Sequence, residues 1–375
     1  MLDRLRPVIA RPTALLLTAL LPASLALTAC GGDSDELKGL DAVAVSGAVG
    51  STPKLDWKGT LAAGKAQTKV LTEGDGPAIA KDDVVRIDFT LANGYTHKIT
   101  YDTYDDYTVG TLLKVGAKKE PASVADVLVA GLADKIEAGQ KIGSRIAVTI
   151  NSKDVIGDYL GNAQAASAFA SLDIGNEDGL LYVADLTALA GPEGTEQEAP
   201  AWAPAIVEKD GLPSSLDFKN APAPSGKLEV ATLVKGTGPV VKSGQKILAS
   251  YLGQIPKGKA PFDQSYTDGR GLEATVGGDA ASVVEGWSKG LVGLPVGSRV
   301  LLQIPPSLGY GKEAQGEDIP ANSTLYFIVD ILDVADPEPA PEPKETASPS
   351  GSPSATPSGS ATGTASTEPT DGSSE

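Results

Sequence analysis

Only one of the 375 residues is cysteine (Cys30), one histidine (His97) and one methionine. A single cysteine excludes an internal disulfide, and a single histidine beside it excludes a zinc site built on several Cys and His ligands. His97 is the one base open to a Ser-His or Cys-His hydrolase, and its place between Thr96 and Lys98 near a turn predicts a surface position. Basic side chains are scarce too: 31 Lys and Arg against 48 Asp and Glu give a formal net charge of −17. Phosphate binding needs clustered Lys and Arg, so no nucleic-acid partner is expected. The longest apolar stretch, near the N-terminus, is too short for a comfortable membrane-spanning helix, which needs about 20 apolar residues. Chemistry in this chain therefore has to run on carboxylates, tyrosines, backbone dipoles and an apolar pocket, with no cofactor called for. Hydrophobic residues at 41% are enough to build a core, and the length predicts two or three domains.

The N-terminus has the form of an address. Arg4, Arg6 and Arg11 precede an apolar stretch from Ala14 to Leu21 that resumes at Leu25, the pattern of a secretory signal. The stretch ends in Leu27-Thr28-Ala29-Cys30, which resembles a bacterial lipobox, with the chain's sole cysteine at the acylated position. The expectation is a signal peptide over 1–29, lipidation of Cys30, a Gly/Ala/Ser-rich tether over 30–50 and an extracytoplasmic, membrane-held lipoprotein. Each buried methylene of an acyl chain adds about 0.8 kcal/mol, so several chains anchor firmly without a transmembrane helix.

Short words repeat in order between the two halves. Leu55-Asp56-Trp57-Lys58 returns as Leu216-Asp217-Phe218-Lys219, Gly74-Asp75-Gly76-Pro77 as Gly236-Thr237-Gly238-Pro239, and Gly143-Ser144-Arg145 as Gly297-Ser298-Arg299. The offsets of 161, 162 and 154 are nearly constant. They predict two copies of one domain, over 51–190 and 212–335, joined by a Pro-rich linker over 191–211. From 336 to 375 only Pro, Ala, Ser, Thr, Gly and a few charges occur, which predicts a disordered tail.

The second copy reads as strands around one helix. Ile247, Ala249 and Tyr251 alternate, as do Val300, Leu302 and Ile304, and Leu325, Phe327, Val329 and Ile331. Ser282 with Glu285 has the capping-box form, Val283, Val284, Trp287 and Leu291 fall on one helical face, and Gly293 and Pro295 end it. The first copy repeats this with Ser123, Asp126, Val127, Leu128 and Leu132. The fold class is α+β. Gly253 to Lys259 approximates a phosphate loop, but Ala260 stands where magnesium needs a hydroxyl and Pro261-Phe262-Asp263 follows in place of a helix, so it reads as a hairpin turn.

Six words of the second copy run together in order: Tyr251-Leu252-Gly253, Phe262-Asp263, Val283-Val284-Glu285-Gly286-Trp287, Gly309-Tyr310-Gly311, Ile319-Pro320 and Thr324-Leu325-Tyr326-Phe327. Across residues 228 to 334 this resembles the FKBP-type peptidyl-prolyl cis-trans isomerase family. The resemblance implies a curved antiparallel sheet wrapped around a short helix in each of two tandem domains. It implies Trp287 as the floor of a pocket, and Tyr251, Phe262, Val283, Val284 and Phe327 as its walls. Asp263 and Tyr310 become polar groups at the rim, and Ile319 offers a backbone N–H from a flap. Proline-containing polypeptides are the implied clients, and macrolides an implied ligand class. Leu272, Asp318 and Gln315 depart from the family's usual residues, and bear on substrate preference and macrolide affinity more than on the reaction. In the first copy Phe89 matches Tyr251, Tyr101-Asp102 match Phe262-Asp263 and Tyr182 matches Phe327. Leu132 falls at the Trp287 position and Ile156 at the Tyr310 position, and an Ala-rich segment over Ala163–Ala170, read as helical, replaces the flap. The expected role is an isomerase assisting exported proteins. The alternative is a non-catalytic chaperone or interaction module using the same pockets.

Overall fold

Period-two apolar patterning builds two antiparallel sheets, each curved around a helix. The structure, a computed structural model, describes residues 36–339 except 63, 118–120 and 268. Those up to Pro337 form one compact unit. In chain order the first half holds β1 (Glu36–Lys38), β2 (Val43–Ser46), β3 (Lys54–Trp57), β4 (Thr60–Ala62), β5 (Gln67–Thr72), β6 (Val84–Asn93), β7 (Lys98–Asp102), β8 (Thr111–Lys114), α1 (Val124–Ala133), β9 (Arg145–Asn151), α2 (Ser152–Ile156), α3 (Ala163–Ser171) and β10 (Gly179–Leu189). The second half holds β11 (Gly194–Glu196), β12 (Ala205–Lys209), β13 (Leu212–Asp217), β14 (Glu229–Gly236), β15 (Gln245–Gln254), β16 (Asp263–Gln264), β17 (Leu272–Val276), α4 (Glu285–Leu291), β18 (Arg299–Ile304) and β19 (Leu325–Ala335).

The two sheets share one pairing order. The first runs β5-β9-β10-β6-β7 with β8 also on β6, and the second runs β14-β18-β19-β15-β16 with β17 also on β15. Register agrees as well: Phe89 lies opposite Ala184 as Tyr251 lies opposite Val329.

The repeated words dock on each other. The Ser144 hydroxyl accepts the Gly74 N–H at 2.9 Å, and Ser298 accepts that of Gly236 at 3.0 Å. A Cβ on Gly74 would stand 2.1 Å from the Ile142 carbonyl oxygen, and one on Gly236 would stand 2.1 Å from that of Val296. Only glycine admits that approach. Arg145 pairs with Asp185, and Arg299 with Asp330, at the same places in their sheets.

Both faces of each sheet are covered. On the far face of the second, the β12–β13 hairpin lays Leu216, Ile206 and Phe218 against Leu252, Leu301 and Ile328. On the far face of the first, β2 and β3 lay Val43, Leu55 and Trp57 against Ala147, Leu181 and Val183. The expected tether is therefore folded from residue 36, and the expected linker contains β11, paired with β14, and β12, paired with β13. Apolar residues at alternate positions in these short strands give each sheet a second cover. The expected tail is tied down at its first residue, where the Asp336 N–H donates to the Asp106 carbonyl at 2.8 Å. The signal, Cys30 and residues 340–375 lie outside the described residues.

The helices differ from each other in how they begin. Ser123 caps α1 by accepting the Asp126 N–H, as the capping-box pattern predicts. Ser282 does not cap α4: its hydroxyl accepts the Thr275 N–H at 3.0 Å, and the helix starts at Glu285, behind Val284. Val283 and Val284 thus precede the helix, while Trp287 and Leu291 are among its buried residues. Among the described residues no helix is long and apolar enough to cross a membrane.

Candidate active site

On the concave face of the second sheet four rings meet at steep angles. Trp287 from α4 lies 5.3 Å from Phe327 at 85° and 5.7 Å from Tyr251 at 78°, and Phe262 lies 5.5 Å from Phe327 at 85°. Edge-to-face contacts suit the ring quadrupoles and hold each ring in a fixed pose. Trp287 is only 2% exposed, so it forms the bottom of the cluster. The reachable apolar surface belongs to Tyr251, Phe262, Leu272, Val283 and Val284, which stay half-buried against it.

The rim is polar on one side. The Tyr251 hydroxyl donates to Asp263 Oδ2 at 2.5 Å, which fixes the carboxylate beside the ring cluster. The sheet positions the pair: the Tyr251 N–H donates to Ser265 Oγ at 3.0 Å and the Tyr251 carbonyl accepts the Ser265 N–H at 2.9 Å. The turn from Ile255 to Pro261 closes with Phe262 N–H donating to the Gly253 carbonyl at 2.9 Å, so the phosphate-loop lookalike is a hairpin turn.

The remaining expected residues are placed differently. Tyr310 makes no ring contact with the cluster among the described residues and is 38% exposed next to the flap. Ile319 is buried against the core, but its N–H donates to the Gln315 carbonyl at 3.3 Å across the flap's own bridge. It is engaged rather than presented free, because the hairpin closes on itself there. The Val284 amide, at the N-terminal edge of α4, makes no hydrogen bond among the described residues. The sequence carries no signal for this donor, since backbone amides have no side-chain signature. Asp318 and Gln315 are exposed on the flap, and Leu272 sits on β17 against the aromatic cluster.

In the first sheet the corresponding face is filled. Phe89, Leu132, Ile156, Phe169 and Tyr182 belong to one buried cluster, with Phe89 5.4 Å from Tyr101 and 6.0 Å from Tyr182. Phe169 comes from α3, the helix expected over Ala163–Ala170. Burial pushes the Tyr182 phenol well above its ordinary range, and its hydroxyl donates to the Leu128 carbonyl at 3.1 Å. The ladder also corrects one pairing. Asp102 opposes Thr90 as Gln264 opposes Leu252, so Tyr101, not Asp102, stands where Asp263 stands. The first sheet therefore has no carboxylate at that position.

The FKBP-type peptidyl-prolyl cis-trans isomerase family model matches residues 238–332, the strands and helix that build this cluster. FK506-binding protein 2 of Dictyostelium discoideum is 37% identical over 113 residues, 30% of this chain and 83% of its own length. FkpA of Escherichia coli K12 is 42% identical over 106 residues, 28% of this chain and 36% of its own. The crystal structure of Escherichia coli FkpA overlaps 31% of this chain and 51% of its own at 36% identity, with a TM-score of 0.27. The chain belongs to the FKBP-type peptidyl-prolyl cis-trans isomerase family.

Proposed function

We propose that the second sheet isomerises X-Pro peptide bonds in its aromatic pocket. Rotation about an amide costs about 18–20 kcal/mol because resonance is lost, and X-Pro bonds interconvert over tens to hundreds of seconds. The twisted amide is less charge-separated than the planar one. An apolar site that strips water from the bond therefore favours the twisted form. Tyr251, Phe262, Val283, Val284 and Phe327 grip the proline ring above Trp287. The Val284 amide is a donor for a substrate carbonyl, a role that Ile319 is less free to play. A five-decade acceleration needs about 7 kcal/mol, within reach of desolvation, orientation and one or two hydrogen bonds. The observation that carries this reading is the ring cluster, buried at Trp287 and Phe327 and half-buried at Tyr251 and Phe262, with the Tyr251–Asp263 pair at its rim. It is tested by proline-limited refolding and by cis–trans exchange of an X-Pro peptide with the full chain. A folded chain with no activity above background would refute it.

The first sheet is, in this reading, a diverged copy of the same fold that begins at its covering hairpin, and the chain is a tandem pair. It binds extended polypeptide without turnover. A groove of about 370 Å³ between α1 and α3, lined by Val124, Val127, Tyr159 and Phe169, favours that role. In the same reading the lipobox-like segment ending at Cys30 supports a protein held on the outer side of a membrane by acyl chains, with exported proteins as clients. Cys30→Ala should release the protein or stall its processing. Macrolide binding at the second site is a further property of this reading, tuned by Leu272, Asp318 and Gln315.

A further inference from the structure

The two ends of the β16–β17 connection are walls of the candidate pocket. Phe262 and Asp263 stand at one end, and Leu272 at the other. Nothing in the second sheet's repeat pattern requires the first sheet to touch this connection, yet β8 and the start of β6 lie against it. Lys114 Nζ donates to the Thr267 carbonyl at 3.3 Å. A Cβ built on Gly269 would stand 3.1 Å from both Lys114 Cβ and Val84 Cγ2, and Gly269 is itself buried at a φ of +67°. A Cβ on Gly271 would stand 3.1 Å from Leu112 Cδ1. Leu112 also packs on the inter-sheet cluster of Val109, Leu248, Leu332 and Ala335.

The contact is held in register by polar ties. Arg86 Nη1 donates to the Leu332 carbonyl at 2.8 Å and lies 3.1 Å from Asp333 Oδ1, while the Gly110 N–H donates to Asp333 Oδ2 at 2.9 Å. Inside the connection, Thr267 is bonded back to Gln264 through its N–H at 3.1 Å and its hydroxyl at 2.5 Å. Gln264 follows Asp263 directly, so the tie at Thr267 leads to the rim carboxylate in two steps.

We infer that the first sheet is an intramolecular brace for the pocket of the second: Lys114 and Leu112 are positioning residues that fix the β16–β17 connection and, through it, Asp263 and Leu272. This rests on the isomerase reading for its consequence but not for its geometry. A reacting site tolerates little displacement, so a loosened wall costs rate without any lost contact to substrate.

The test uses the full chain carrying Leu112→Ala with Lys114→Ala. Hydrogen exchange should accelerate at least tenfold in amides of residues 265–272 while β14, β18 and β19 keep their protection. The kcat/KM for an X-Pro peptide should fall threefold to tenfold, mainly through KM, because Leu272 is a binding wall. Lys114→Arg should retain wild-type exchange and rate. Lys114→Met keeps the stem and loses the ammonium, and gives the same reading should the double variant unfold. Unchanged exchange at 265–272, or an active wild type whose double variant stays within twofold, would overturn the brace. An inactive wild type sinks the isomerase reading instead, and the exchange result still decides the brace.

Discussion

Arg299 faces Asp330 across adjacent strands, its Nε 2.7 Å from one carboxylate oxygen and its Nη2 2.8 Å from the other, and Arg145 grips Asp185 in the same two-pronged way with both distances at 2.7 Å. Asp185 and Asp330 are fully buried. A charge removed from water is tolerated only when its partner and hydrogen bonds are complete. Arg145 meets that condition by donating also to the Ser51 carbonyl at 2.6 Å and the Gly47 carbonyl at 3.2 Å, which ties the first hairpin to its sheet. The Asp185 hydrogen bond holds the Arg145 guanidinium above its ordinary range, against the opposing effect of burial.

From this follows the first prediction. Arg145→Met should destabilise the chain by about 3–5 kcal/mol, because it leaves Asp185 buried without a partner. Replacing both members, with Met and Leu, should cost much less. Urea denaturation of the single and double variants measures the difference. Equal losses would show that the pair matters for shape and not for charge.

The catalytic prediction separates rim from floor. Asp263 is exposed, so Asp263→Val should leave thermal stability nearly unchanged while lowering kcat/KM by about tenfold. Trp287 is enclosed, so Trp287→Leu should lower both, with a stability loss of about 2–4 kcal/mol. The rate should be flat between about pH 6 and 8 in the wild type, since rotation about an amide transfers no proton. A variant Asp263→Val with full activity would remove the carboxylate from the mechanism.

How much of this was legible in the sequence depends on where the information resides. The ring cluster was legible, because Trp287, Phe327, Tyr251 and Phe262 are large apolar side chains at positions set by strand and helix periodicity. The covering hairpins were not, because β2 and β12 are four and five residues long and flanked by Gly, Pro and acidic residues that read as linker. The capping box succeeded at Ser123 and failed at Ser282, where the hydroxyl found the Thr275 amide across a loop first. Local patterns cannot see such a competitor. The word Tyr101-Asp102 imitates Phe262-Asp263 one residue out of step: the separation that carries Phe89 onto Tyr251 carries Tyr101 onto Asp263 and Asp102 onto Gln264.

Acidity should matter between the sheets. Burial, with Asp333, Asp185 and Asp102 adding repulsion against the attraction of Arg86, raises the Asp88 carboxyl to about 6. The Asp88 side chain shares a cavity of about 380 Å³ with Arg86, Asp105, Asp106, Lys242, Asp333 and Asp336. The folded chain thus holds a proton here that the unfolded chain has released, so stability falls as pH rises from about 4 to 6 and is lowest above that window. The full effect is at most about 3 kcal/mol. Asp88→Asn should remove this slope and raise the unfolding midpoint at pH 7, as thermal melts from pH 4 to 8 would show. A slope unchanged in the variant would assign the dependence to another group.

The last prediction concerns which sheet carries the activity. Leu132 gives the first sheet no indole floor, Ile156 gives it no rim hydroxyl, Tyr101 takes the place of the carboxylate, and Phe169 fills the concave face from α3. Each change alone removes one or two decades of rate at most, but all four act on a single transition state and on access to it. Asp263→Val combined with Trp287→Leu in the full chain should therefore lower kcat/KM by about two to three decades, with the first sheet still folded by its hydrogen-exchange protection. Opening the first face with Phe169→Ala should not restore turnover, and should cost about 3–5 kcal/mol as a core truncation. Residual activity above about a tenth of wild type in the double variant would place a working site in the first sheet. That outcome would mean that desolvation by an apolar groove suffices, with neither an indole nor a carboxylate at the rim.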